Sequence, residues 1–238
     1  MKIRSLAALA AILATTAMAA ELPAAREGDW TAPEFRFHDG TVMKDVRLHY
    51  VTFGDPKNDA VLVLHGTGGS SKSMTTAGFA GLLFGPGQPL DASRYYIIVT
   101  DALGAGQSAK PSDGLRAKFP RYDYDDMVEA QHRLLTEGLG VKHLRMVIGN
   151  SMGGMQAWMW AGRYPGYLDI AVPMACLPTA MSGRNWIMRR LMVDSIRNDP
   201  TYLNGEYKEQ PQAFHMITVM YGYAMSGGNQ ALYKEAPN

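Results

Sequence analysis

The chain has 238 residues, 47% hydrophobic and 19% charged, a balance that excludes a disordered polymer and supplies apolar mass for one sizeable core. Its formal net charge of +1, with no basic stripe and no acidic tail, offers nothing to nucleic acid or to an anionic membrane surface. A small-molecule partner is what remains to be expected, and no residue pattern asks for a metal or an organic cofactor.

At the start, Lys2 and Arg4 precede the short apolar run Leu6 to Ala14, and Ala17-Met18-Ala19 has the small-x-small pattern of a cleavage site. Residues 1–19 therefore read as a cleavable signal peptide, which implies a periplasmic or secreted protein. A stable membrane anchor is not expected, because it needs about 20 apolar residues and this run stops at Thr15-Thr16. Residues 20–179 read as one core and 180–238 as a helical lid. The single cysteine, Cys176, has no partner for an internal disulfide and reads as a small buried apolar residue.

Phe35 to Phe37 and Asp45 to Phe53 read as two antiparallel strands around the turn signal Asp39-Gly40. Val61 to Leu64, Tyr95 to Thr100, Leu144 to Ile148 and Ile170 to Met174 are short and nearly continuous in apolar residues, the pattern of central parallel strands covered on both faces. Between them, Met127, Val128, Gln131, Leu134 and Leu135 recur on one helical face. That spacing predicts a helix over 125–137, capped by Asp125 and stopped by Gly138 and Gly140. Alternating strands and helices of this kind predict an α/β fold, a mostly parallel central sheet with helices on both faces.

Residues 147 to 158 read VIGNSMGGMQAW. The serine lies between a buried strand and an apolar helix that ends before Pro165, and Gly149 and Gly153 flank it at two residues on either side. That pattern predicts a sharp, strained turn that displays the Ser151 hydroxyl as a nucleophile and aims the Met152 N–H at the place where an oxyanion forms. Upstream, Val61 to Leu64 runs into His65-Gly66-Thr67-Gly68-Gly69, a loop whose Thr67 N–H is the candidate second donor. His65 reads as a residue that pins this loop rather than as a base. Asp101 to Ser108 partly fits a dinucleotide fingerprint, but Lys110-Pro111-Ser112-Asp113-Gly114 is turn chemistry where a helix should begin, so that reading is rejected.

The order HGTGG, D-x-x-G-x-G-x-S-x-K-P from Asp101, and GNSMGG from Gly149 resembles the α/β-hydrolase superfamily. The stretches 84–104, 119–144, 148–165 and 196–207 resemble its homoserine O-acetyltransferase group. The loop from Asp101 to Pro111 is similar to ordinary hydrolases instead, and export would separate the enzyme from acyl-CoA. An exported serine hydrolase acting on an ester or related acyl compound through an acyl-enzyme on Ser151 is thus expected. The alternatives are an O-acyltransferase of the homoserine acetyltransferase type, or a catalytically defective ligand-binding relative.

A serine needs a histidine base and the histidine an acidic partner. The resemblance implies that both lie, with the last strands, beyond residue 238. Within the chain, Asp194, Asp199 and His215 follow Ser151 in the right order, but an acidic helix face and a turn account for the two carboxylates. Arg184 to Ser195 and Gln212 to Ala224 have helical spacing and abundant methionine, which suits an adaptable lid over an acyl substrate with an apolar portion.

Overall fold

The computed structural model describes residues 24–225 and Lys234. The expected signal peptide and most of the polar tail after Gly227 fall outside those residues. Six strands form one sheet: β1 (Arg26–Arg36), β2 (Val42–Phe53), β3 (Asp59–Leu64), β4 (Tyr95–Thr100), β5 (Leu144–Asn150) and β6 (Leu168–Met174), in the order β1-β2-β4-β3-β5-β6. β1 and β2 pair antiparallel, β2 joins β4 antiparallel, and β4, β3, β5 and β6 run parallel.

The apolar runs become the parallel strands for a reason visible residue by residue. On β3, Val61 and Val63 face a cluster with Met74, Phe84, Ile97 and Val99. Leu62 and Leu64 face the opposite cluster, with Val128, Val147, Ala157 and Trp160. A strand alternates its side chains between faces, so only a run apolar at every position suits a sheet covered on both sides. Short helices α1 (Ser71–Met74) and α2 (Ala80–Leu83) cover the first face, and α3 (Tyr124–Arg133) and α4 (Met152–Arg163) the second.

Three expectations are corrected. The first strand begins at Arg26, well before Phe35, because REGDWTAPEFR borrows its order from β2, whose Thr52 to Val42 pair with it along its length. β6 is not central: among the described residues it is the outer strand, and its side chains are only partly buried. Helix α3 is capped by Asp123 rather than Asp125; the Asp123 carboxylate accepts the N–H groups of Asp125 and Asp126, and the Asp126 side chain reaches back in a capping box. The expected helix then continues as a π-helical turn over Leu134–Gly138.

The chain continues into α5 (Gly183–Arg197) and α6 (Gln212–Met225), packed on each other. No residue of α5 is fully buried, and Trp186, Ile187 and Leu191 are exposed. No helix of the described residues is long and apolar enough to cross a membrane.

Candidate active site

Ser151 sits where β5 gives way to α4, with φ 52° and ψ −115°, a left-handed backbone that a non-glycine residue adopts only when its surroundings impose it. Those surroundings can be named. The Ser151 N–H donates to the Met174 carbonyl at the end of β6, at 2.9 Å, and its own carbonyl accepts the Met155 N–H at 3.0 Å. Gly149 and Gly153 are obligatory: a Cβ on Gly149 would collide with the Gly153 carbonyl, and one on Gly153 with the Leu64 carbonyl. Sequence reasoning missed Gly154, where a Cβ would lie 2.6 Å from the Met174 carbonyl oxygen and 2.7 Å from Cys176 Sγ. The doubled glycine of GNSMGG was the available signal: one glycine clears β3, the next clears β6.

Met152 is the first residue of α4, so its N–H has no acceptor inside the helix. The loop after β3 lies directly against the turn, since a Cβ on Gly66 would be 3.5 Å from the Ser151 Cβ. Thr67 is exposed on that loop, and its N–H has no backbone partner among the described residues. Two backbone N–H groups without a backbone acceptor among the described residues therefore lie on the turn and on the loop packed against it.

His65 holds that loop. Its ring is buried, Nε2 accepts the Ala102 N–H at 3.0 Å, and Nδ1 is 2.7 Å from the Gly66 carbonyl oxygen. One nitrogen accepting and the other donating fixes the neutral tautomer with the proton on Nδ1. Burial lowers its pKa, opposed by the Gly66 carbonyl and Asp101. Asp101 ties the adjoining loops together: its Oδ1 accepts the Ser71 N–H and its Oδ2 the Gln107 N–H.

Ser151 lines a cavity of about 450 Å³ whose other walls include Met155, Cys176, Leu177, Asn185 and Arg189. Arg189 Nε donates to Asn185 Oδ1 at 2.8 Å, so this wall of the cavity is polar and braced. Cys176 is not the buried residue expected; it is partly exposed on this wall because Gly154 leaves room for its sulfur, and partial burial raises its pKa.

Among the described residues, no histidine or carboxylate lines this cavity. Asp194 pairs with Arg190 one helical turn away, at 2.6 Å. Asp199 accepts the N–H groups of Thr201 and Ala213, which joins the turn to the start of α6 and holds its carboxyl below the usual range. His215 is exposed on α6. Among the described residues no hydrogen bond or ion pair joins the three, and none of them lines the cavity at Ser151.

Residues 59–210 match the family model described as alpha/beta hydrolase fold. A homoserine O-acetyltransferase of Pelobacter propionicus is 35% identical over 195 residues, covering 74% of this chain and 52% of that protein. The chain spans about half the length of the curated relatives it matches. Among solved structures, the acetyl esterase MekB superposes with a TM-score of 0.76 at 26% identity, over 89% of this chain and 62% of that one. An acetylester hydrolase from Corynebacterium glutamicum gives 0.73 at 26% identity, over 88% and 61%.

Proposed function

The chain belongs to the alpha/beta hydrolase fold family, and from that premise we propose that it is a serine ester hydrolase that works through an acyl-enzyme on Ser151. The observation that carries this reading is the left-handed Ser151 backbone at the wall of a cavity of about 450 Å³. Strain of this kind is kept where it serves a site.

In the reaction, Ser151 Oγ attacks the ester carbonyl carbon, its proton passes to a general base, and the carbonyl oxygen becomes an oxyanion facing the Met152 and Thr67 N–H groups. The C–O bond to the alcohol then breaks, the alcohol leaving with that proton. Water adds to the acyl-enzyme by the same route, releasing the acid and restoring the serine. A preformed donor is worth about 3–4 kcal/mol at such an oxyanion. The described residues supply nucleophile and donors; the base is unassigned among them.

Water as acceptor is supported by the hydrolase-like loop from Asp101 to Pro111, by the N-terminal pattern of an exported protein, and by likeness to two acetyl-ester hydrolases. Acyl transfer to an acceptor alcohol is the second reading, favoured by the likeness to homoserine O-acetyltransferases, and it would use the same acyl-enzyme. The polar wall of Asn185 and Arg189 would meet the compact, polar end of the ester in either case.

The test is labelling with a fluorophosphonate in wild type and Ser151→Ala. Labelling that needs Ser151 is the expected result; none in wild type would leave a ligand-binding protein without catalysis. Adding acceptor alcohols to the turnover assay then separates the two readings by whether product moves from free acid to new ester. Mass measurement of the exported protein's N-terminus tests cleavage before Ala20.

A further inference from the structure

The cavity at Ser151 has a neighbour that also reaches Met155. A second cavity of about 480 Å³ opens beyond it, and the two share Met155, Leu177, Thr179, Ala180 and Met181 as a common wall. Their far walls differ in chemistry. The Ser151 side has Asn185 and Arg189, whereas the second side has Tyr124, Trp158 and Met159 and presents mostly carbon.

This apolar wall is built by one face of α4. Met155, Trp158 and Met159 stand at i, i+3 and i+4, which places them side by side along the helix that begins at the nucleophile. Tyr124, the first residue of α3, closes the side. Trp158 remains 44% exposed although α4 is otherwise a core helix whose Ala157 and Trp160 are wholly buried. The methionines of α5 and α6, expected to line the substrate site, line neither cavity. The methionines that line it, Met155, Met159 and Met181, belong to α4 and to the loop before α5.

Resting on the acyl-enzyme reading, we propose that the Tyr124–Met155–Trp158 cavity is a second subsite that takes an extended apolar arm of the ester, so that the substrates are esters with a medium-length alkyl or aryl arm. Volumes of this size are those of small-ligand sites. The polar wall takes the compact end of the ester, and the methionine thioethers let the apolar wall adapt to arms of different shape.

Two series of esters test this, one lengthening the acyl chain on a fixed alcohol and the other lengthening the alcohol on acetate. In wild type, kcat/KM rises about threefold to fourfold per added methylene in one series, the factor that corresponds to burying a methylene. In Trp158→Ala the gain per methylene falls below about twofold, because the wall that covers the arm is gone. Flat dependence in both series overturns the subsite, and so does a slope that Trp158→Ala leaves unchanged.

A binding measurement keeps the subsite distinguishable from the catalytic reading. Octyl acetate and ethyl octanoate are titrated into Ser151→Ala and Ser151→Ala/Trp158→Ala, with ethyl acetate as the short reference. Tighter binding of either long ester that the second variant loses supports the subsite even if no Ser151 labelling is ever seen. Equal binding of all three esters rejects it even if Ser151 labels fully.

Discussion

The Ser151 N–H donates to the Met174 carbonyl at 2.9 Å, and this bond carries the β5–β6 ladder one residue past the end of β5. The Asn150–Met174 register thus reaches into the turn, and the left-handed serine is held by β6 as well as by the helix after it. Crowding completes the restraint. Gly153→Ala puts a methyl into the Leu64 carbonyl, so it should cost about 2–3 kcal/mol as an overpacked site. We expect its Tm to fall by roughly 5–10 °C together with loss of Ser151 labelling. A variant with the melting temperature and labelling of wild type would show that β3 does not press on the turn.

Strain at Ser151 makes a sharper prediction. Glycine accepts φ 52° and ψ −115° without cost, whereas alanine does not. Ser151→Gly should therefore be more stable than Ser151→Ala by about 1 kcal/mol, the low end of what a strained backbone stores, although both lose labelling. Chemical denaturation of the two side by side decides it. Equal stabilities would mean that the backbone relaxes once the hydroxyl is gone, and that the serine rather than the fold imposed the strain.

How far the sequence disclosed this arrangement depends on whether each signal was local. The central strands were legible because burial on both faces demands apolar residues at every position, as in Val61 to Leu64. The turn at Ser151 was legible because two close approaches demand glycine. What was not legible depends on residues far away in the chain. The first half of β1 is ordered by its pairing with β2, Gly154 is required by the carbonyl of Met174, and Asp123 wins the cap from Asp125 through its extended backbone and the returning side chain of Asp126. The pocket wall was misplaced for the same reason: apolar spacing identified the helices α5 and α6, but which methionines line the cavities is decided by how α4 leaves the turn.

Two histidines set opposite pH dependences. His38 Nδ1 lies 2.6 Å from Asp126 Oδ2 and 3.5 Å from Asp123 Oδ2, and its pKa is raised, chiefly by the hydrogen bond to Asp126, with Asp123 and Asp39 adding to it. A folded pKa above the unfolded value means stability fully present below the unfolded value of 6.5 and lost as pH rises through the folded one. The stability gap between wild type and His38→Ala should then be widest in mild acid and close on the alkaline side of His38's titration. His65 runs the other way. Its pKa is lowered by burial, so its contribution is present above 6.5 and lost as pH falls toward the folded value, where protonated Nε2 no longer accepts the Ala102 N–H. Urea denaturation of wild type, His38→Ala and His65→Gln across this range checks both; a His38→Ala gap constant with pH would remove the ion pair from the account.

Behind the nucleophile helix, Gln131 joins α3 to α4. Its Nε2 donates to Gln156 Oε1 at 2.7 Å, its Oε1 accepts the Trp160 indole N–H at 2.9 Å, and all three side chains are buried. The apolar spacing of α3 counted Gln131 as a core position, which is right for its burial and silent on its chemistry. Replacing it with leucine preserves bulk but strands the Trp160 N–H and the Gln156 carbonyl oxygen away from water. At about 1–3 kcal/mol for each unsatisfied buried group, Gln131→Leu should lose roughly 2–4 kcal/mol. Adding Gln156→Leu removes one of the stranded groups, so the double variant should recover part of that loss rather than add to it. Two losses that simply add would show that each glutamine is satisfied independently, and that α4 is not braced through this network.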